Sequence, residues 1–240
     1  MKPFSRLALY GALLAAGAAQ ADIVITEVNP TGSGTAAYGA DWFELTNTGS
    51  GAVNIGGWRM DDDSNAFASS VALRGVSSIA PGQSVVFIEG NASGSNDATL
   101  AASFIAAWFG GTPPAGFTIG GYGGAGVGLS ATSDGVTIFD SAGTAVARVA
   151  FGASTAGFSF DNAAGLNATS LTQLSALGAN GAFASVTSGE IGSPGTIGPV
   201  PEPASLALWL AGLGALGMKG GGRRAALARH CLMKLRRQRP

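Results

Sequence analysis

The chain has 240 residues, with 13 Lys or Arg against 14 Asp or Glu, one His, one Cys and 39 Gly. Its near-neutral total conceals a division: residues 22–200 carry only Arg59, Arg74 and Arg148 against 13 acidic residues, a formal charge of −10. That span has no His, Cys or Lys, which excludes a disulfide, a Cys/His zinc centre and Ser-His-Asp or Cys-His catalysis within it, while its charge repels nucleic acid.

At the N-terminus, Lys2 and Arg6 precede an apolar run from Leu7 to Ala18 and the small-x-small site Ala19-Gln20-Ala21. This is the pattern of a secretory signal peptide over residues 1–21, with cleavage by signal peptidase expected after Ala21. Short β-prone runs between turn signals follow. Ile23 to Val28 opens, closed by Asn29-Pro30; Trp42 to Thr46 alternates, with Phe43 and Leu45 on one side and Glu44 and Thr46 on the other. Ala52 to Ile55, Gly57 to Met60 and Ser84 to Glu89 continue the pattern, the last after the turn Pro81-Gly82. Gly135 to Asp140 and Ala145 to Phe151 flank Asp140-Ser141-Ala142-Gly143, a hairpin turn. Many short strands at this spacing predict an all-β sandwich.

One stretch breaks the pattern. Between Asp97 and Phe109 the apolar residues Leu100, Phe104, Ile105 and Trp108 fall at helical spacing, with Asn96 or Asp97 as N-cap and Gly110-Gly111 as the stop. A helix across an open edge or end of the sandwich is expected. The Gly-rich stretch from Gly116 to Gly128 lacks the Lys-Ser or Lys-Thr ending of a phosphate loop and reads as a loop without regular structure.

The last forty residues change character. Val200-Pro201-Glu202-Pro203 leads into an apolar run from Ala204 to Met218, then into a tail from Lys219 to Pro240 with eight basic residues, beside which lie His230 and Cys231. The apolar run would form a helix of about 22 Å, short against a hydrocarbon core of about 30 Å, which snorkelling Lys219 and Arg223 help to span. The positive-inside rule keeps the tail in the cytoplasm. A Pro-x-Pro hinge, an apolar helix and a basic stop resemble the PEP-CTERM sorting signal. That resemblance implies a Gram-negative bacterium, recognition by an exosortase, transient anchoring in the inner membrane, and release to the cell surface or extracellular matrix. The 22-residue tail is longer than the brief basic cluster usual in that family.

A second resemblance lies between the two ends. Ile25-Thr26-Glu27-Val28-Asn29-Pro30, Asp41-Trp42-Phe43-Glu44-Leu45-Thr46-Asn47 and Gly57-Trp58-Arg59-Met60-Asp61 are similar to the opening of a lamin-tail domain. Ile79-Ala80-Pro81-Gly82 through Phe87, the stretch Gly143 to Phe151, and the closing Gly192-Ser193-Pro194-Gly195-Thr196 continue the match. The resemblance implies an immunoglobulin-like β-sandwich over residues 22–198, with residues 91–128 as a helix-bearing insertion, followed by a sorting segment over 199–240. It implies an accessory, adhesive or interaction role, not an activity.

Two groups of residues invite chemistry. Asp61, Asp63 and Asn65 match the start of a calcium loop, but Ala66 and Ala72 stand where an EF-hand needs Gly and Glu. What remains is a weak surface calcium site, or a solvated acidic turn. Asp41 and Glu44 would be a poor carboxylate pair, because residues three apart on a strand point to opposite faces. Trp42 and Trp58 suit packing better than a sugar platform. The sequence therefore leads to an exported, non-enzymatic module without a cofactor, structural or adhesive in role. The alternatives are a calcium-dependent polysaccharide-binding module and a metal-dependent hydrolase using Asp61 and Asp63.

Overall fold

A computed structural model describes residues 23–124, 126–162 and 169–196. Ala19 and Ala21 of the expected signal peptide, the motif Val200–Pro203, the apolar run and the basic tail lie outside the described residues. In chain order the elements are β1 (Ile23–Asn29), a single-turn α1 (Gly32–Thr35), β2 (Trp42–Asn47), β3 (Val53–Asn54), β4 (Arg59–Asp61), β5 (Val71–Ala72), β6 (Ser78–Ile79) and β7 (Ser84–Glu89). Then come α2 (Asp97–Phe109), β8 (Thr118–Tyr122), β9 (Asp134–Phe139), β10 (Ala145–Phe151), β11 (Phe160–Asp161), β12 (Ser170–Leu171), β13 (Phe183–Ala184) and β14 (Ile191–Gly192).

Two five-stranded sheets form the sandwich, in the orders β11-β1-β2-β7-β8 and β12-β10-β9-β4-β5. Alternation places Ile25, Phe43, Leu45, Val85 and Phe87 of the first sheet against Met60, Val136, Ile138 and Val149 of the second, in one buried core. The all-β expectation holds, and so does the hairpin: β9 and β10 are antiparallel, with Gly143 at φ 85° and the Asp140 carboxylate accepting from Ala142 N and Thr144 N. Trp42 and Trp58 are both buried.

The outer face of the first sheet is also covered, by α2. Phe104, Ala107 and Trp108 pack on Trp42, Val86 and Ile88, and Trp42 meets the Phe104 and Trp108 rings edge-on at 5.7 and 6.0 Å. The helix thus lies on a face of the sheet rather than across an edge or end as expected. Gly110, at φ 63°, ends it in the left-handed conformation that a residue without Cβ adopts freely.

The stretch read as a loop is corrected too. Thr118–Tyr122 is a strand, β8, running parallel to β7 in the register Glu89 to Tyr122. A parallel neighbour needs a crossover connection, and α2 is that crossover. Strand-like alternation is missing because Gly120 and Gly121 occupy the middle of β8. A Cβ on Gly120 would stand 2.5 Å from the Arg74 carbonyl and 2.7 Å from the Phe87 ring.

Arg74 fastens this insertion. Its guanidinium binds both oxygens of Asp97 at 2.8 and 3.0 Å and donates to the carbonyl oxygens of Asn91 and Gly123. Asn96, expected as a side-chain cap, makes no cap bond; its amide oxygen accepts from Asn91 N instead.

Candidate functional site

The two glutamates of the strand signatures meet on the outer face of the first sheet. A β-bulge between Ile25 and Glu27 turns Thr26 and Glu27 to the same side, and Glu27 pairs in register with Glu44 of β2. Both are fully buried. Glu27 Oε1 accepts from Ser193 N at 2.8 Å and from the Ser159 hydroxyl, and Oε2 from Ser193 Oγ at 3.1 Å. Glu44 accepts from Thr26 Oγ1 and from Gly195 N, each at 2.6 Å. The carboxylates of the first two strands thus hold the closing Ser193-Pro194-Gly195 element, more than 150 residues away in sequence. Burial pushes Glu27 up to about 7, a rise only partly offset by the Ser159 and Ser193 bonds. Burial and the charge of Glu27 raise Glu44 well above the ordinary carboxylate range.

The acidic run of the candidate calcium loop has a different arrangement from a solvated turn. Asp61, at the end of β4, is buried; one oxygen accepts from Ser64 Oγ and Ala66 N at 2.6 and 2.7 Å, the other from Ser69 Oγ at 3.1 Å. Its carboxylate organises residues 61–70 into a flap over the outer face of the second sheet. There Phe67 lies edge-on to Phe139 at 5.6 Å, and Arg59 sits 5.6 Å from the Phe67 ring centre. Asp63 and Asn65 are exposed on this flap, and Asn65 has φ 50°. Among the described residues no group of three or more His, Cys, Asp or Glu side chains is placed to hold a metal ion.

A cleft of about 560 Å³ opens at one end of the sandwich, where β2 begins and β7 ends. Asp41 and Glu89 face each other there: Glu89 N donates to Asp41 O at 2.8 Å, continuing the Trp42–Ile88 register by one residue. Asp41 is held by Ser33, whose N donates to Oδ1 at 2.7 Å and whose Oγ donates to Oδ2 at 3.1 Å. Burial first, and the Asp41 charge second, push Glu89 up to about 7 against a backbone bond from Leu129. Tyr122 is the in-register partner of Glu89 on β8; it is fully buried, and among the described residues its hydroxyl has no hydrogen-bond partner. Burial, then the charges of Glu89, Asp41 and Asp134, raise that hydroxyl far above its usual value. Asn91, Asn96 and Ser130 also line the cleft, and among the described residues no basic side chain does.

Asp41 and Glu44 are separated as strand geometry requires, one at the cleft and the other under the closing element. Glu89 and Tyr122 carry no motif, and sequence reading passed over them. The available signal was register: once the turn at Pro81-Gly82 pairs β2 with β7, Asp41 must stand opposite Glu89.

An immunoglobulin-like sandwich whose signature glutamates clasp a Ser-Pro-Gly element defines the class. The family model for the Lamin Tail Domain matches residues 16–153, more than half of the chain, and the chain belongs to that family. The PEP-CTERM protein-sorting motif matches residues 199–225. No curated protein matches the chain. The protein is an exported, surface-sorted bacterial β-sandwich protein processed by exosortase-type machinery. Among the described residues, no helix is long and apolar enough to cross a membrane.

Proposed function

We propose that the protein is a non-enzymatic interaction module, displayed at the surface or in the exopolysaccharide matrix of a Gram-negative bacterium, with a structural or adhesive role. The observation that carries this reading is the use of the motif acids: Glu27, Glu44 and Asp61 each accept hydrogen bonds that build the scaffold. None is left free beside a histidine or thiol, because residues 22–200 contain neither. Signal peptidase would release the N-terminus after Ala21, and the exosortase would act at Val200–Pro203 after a brief stay in the inner membrane.

The test uses whole cells producing the protein and a variant in which Val200–Pro203 is replaced by alanines. Surface labelling and matrix attachment are expected for the first and lost for the second. Hydrolysis of a matrix polysaccharide by the purified protein, abolished by EDTA and by Asp61→Ala, would overturn the reading in favour of a metal-dependent hydrolase. A second reading, a calcium-dependent module that binds acidic polysaccharide, is favoured by the acidic cleft, whose lining supplies oxygen donors without a cation to balance them.

A further inference from the structure

The chain leaves β7 for α2 through Glu89-Gly90-Asn91-Ala92-Ser93. This stretch contains one of the three Asn-x-Ser/Thr triplets in the sequence. Such a triplet is the acceptor pattern for N-linked sugar, provided its central residue is not Pro. Asn29-Pro30-Thr31 fails on that count, and Asn29 is buried. Asn167-Ala168-Thr169 has Gly165 two residues before its Asn, whereas Asn91 has Glu89 there. The bacterial enzymes that glycosylate asparagine on exported chains read an acidic residue at that position as well. Residues two apart in an extended chain point the same way, so such an enzyme meets a carboxylate, an amide and a hydroxyl side by side. Of the three triplets, the one at Asn91 alone presents all of these groups.

Folding holds the backbone of Asn91 and leaves its side chain at the surface. Its N–H donates to Asn96 Oδ1 at 2.8 Å, and its carbonyl accepts from Arg74 Nη2 and Gly94 N, each at 3.1 Å. The carboxamide bonds within its own loop: Nδ2 donates to Ser95 Oγ at 2.8 Å, and Oδ1 accepts from Ser93 Oγ and Ser95 N, each at 3.1 Å. These bonds are exposed, so water replaces any of them at little cost and a substituent on Nδ2 displaces no core side chain. A second observation points to the same class of ligand. Asn91 lines the cleft of about 560 Å³ together with Ser33, Asp41, Glu89, Asn96 and Ser130. Sugar hydroxyls donate, while ionised carboxylates only accept, so a sugar on Asn91 meets a lining suited to its hydroxyls.

We propose that Asn91 is a glycosylation site, carrying an oligosaccharide whose first sugar lies against the polar cleft. The donor class is an oligosaccharide linked to a polyprenyl diphosphate. The side-chain nitrogen of Asn91 attacks the anomeric carbon; a C–N bond forms and the C–O bond to the diphosphate breaks. The polyprenyl diphosphate leaves with the electron pair, the nitrogen's proton passes to a base of the transferase, and nothing is oxidised or reduced. In the finished fold Glu89 is partly buried and paired with Tyr122 of β8. The transferase therefore reads residues 89–93 on the newly exported chain, before β8 docks on β7. The proposal rests on the export reading above, because the transfer takes place beyond the inner membrane.

The test uses whole cells producing the full chain, with surface labelling and mass spectrometry of the peptide that contains Asn91. Surface-labelled wild type is expected to carry a glycan mass on Asn91. Asn91→Gln and Ser93→Ala should each abolish it, and Asn167→Gln should leave it unchanged. Glu89→Gln should lower occupancy by about tenfold or more, as loss of one charge-assisted hydrogen bond to the transferase does. A bare Asn91 on surface-labelled protein would overturn the proposal and leave the export reading standing, whereas protein retained in the cytoplasm would overturn both. Occupancy that withstands Glu89→Gln, or a glycan that persists in Asn91→Gln, would also overturn it. Should Asn91→Gln fail to fold, Ser93→Ala decides, since Ser93 is exposed and bonds only within this loop among the described residues.

Discussion

Raising the pH should weaken this fold through the Glu27–Glu44 pair. Glu27 is fully buried with its carboxyl pushed from 4.5 up to about 7. Between those values the folded protein keeps a proton that the unfolded chain releases, so the unfolded state binds fewer protons and stability falls as pH rises. At about 1.4 kcal/mol per unit, a rise of this size corresponds to roughly 3 kcal/mol from this group alone, lost as the pH rises from about 4.5 through the folded value near 7. Glu44 acts in the same direction, since its neighbour's charge and its own burial raise it too. The assay is urea unfolding from pH 4.5 to 8.5, followed by the fluorescence of the buried Trp42 and Trp108. Glu27→Gln is the informative variant. Its amide oxygen can still accept from Ser193 N and Ser159, while its NH₂ donates to Ser193 Oγ, so the clasp survives without the charge. The variant should remove the Glu27 share of the slope, leaving the shares of Glu44 and Glu89, and be more stable than the wild type at pH 8. A wild-type stability that stays level or rises over this range, or a Glu27→Gln protein that keeps the full slope, would refute the reasoning.

Truncating Phe104 to Ala should cost about 3–5 kcal/mol, because it opens a cavity between α2 and Trp42 that neighbouring rings cannot fill; thermal melting checks this. Gly120→Ala should cost about 1–3 kcal/mol, since its Cβ meets a backbone carbonyl and a core ring rather than a yielding side-chain tip. Replacing Arg74 by Met should leave the sandwich folded but accelerate amide exchange at residues 91–97, with a global loss of about 1–2 kcal/mol for a partly buried, bidentate pair.

Local pattern revealed what local physics determines. Phe43 and Leu45 alternate because one face of β2 enters the core, and Leu100, Phe104 and Trp108 recur at helical spacing because one stripe of α2 is buried. The other face of β2 was not legible in this way. Glu44 and Thr46 look solvent-facing, yet both are buried under Thr26, Ser84 and a segment near residue 195. No window of neighbouring residues contains that information. Strand β8 escaped for another reason: Gly120 and Gly121 have no side chains with which to show a period, since other groups occupy that space. The acidic run from Asp61 to Asp63 advertised a charged surface, but the three donors that turn Asp61 inward are Ser64, Ala66 and Ser69, whose roles depend on the flap's conformation. The cleft was hidden by the same limit, being a matter of register between strands some forty residues apart.

The clasp between the first strands and Ser193–Gly195 also sets an order of events. A polypeptide exported from its N-terminus delivers β1 and β2 first and the Ser-Pro-Gly segment nearly last. Until that segment arrives, Glu27 lacks the Ser193 bonds and Glu44 the Gly195 bond that compensate their loss of water. The long loop must close before those contacts reward it, which makes this a late and slow step of assembly. Maturation of the sandwich is therefore coupled to emergence of the chain up to the threshold of its sorting segment. A protein halted upstream of residue 193 would remain unfinished, however well its first hairpins had formed.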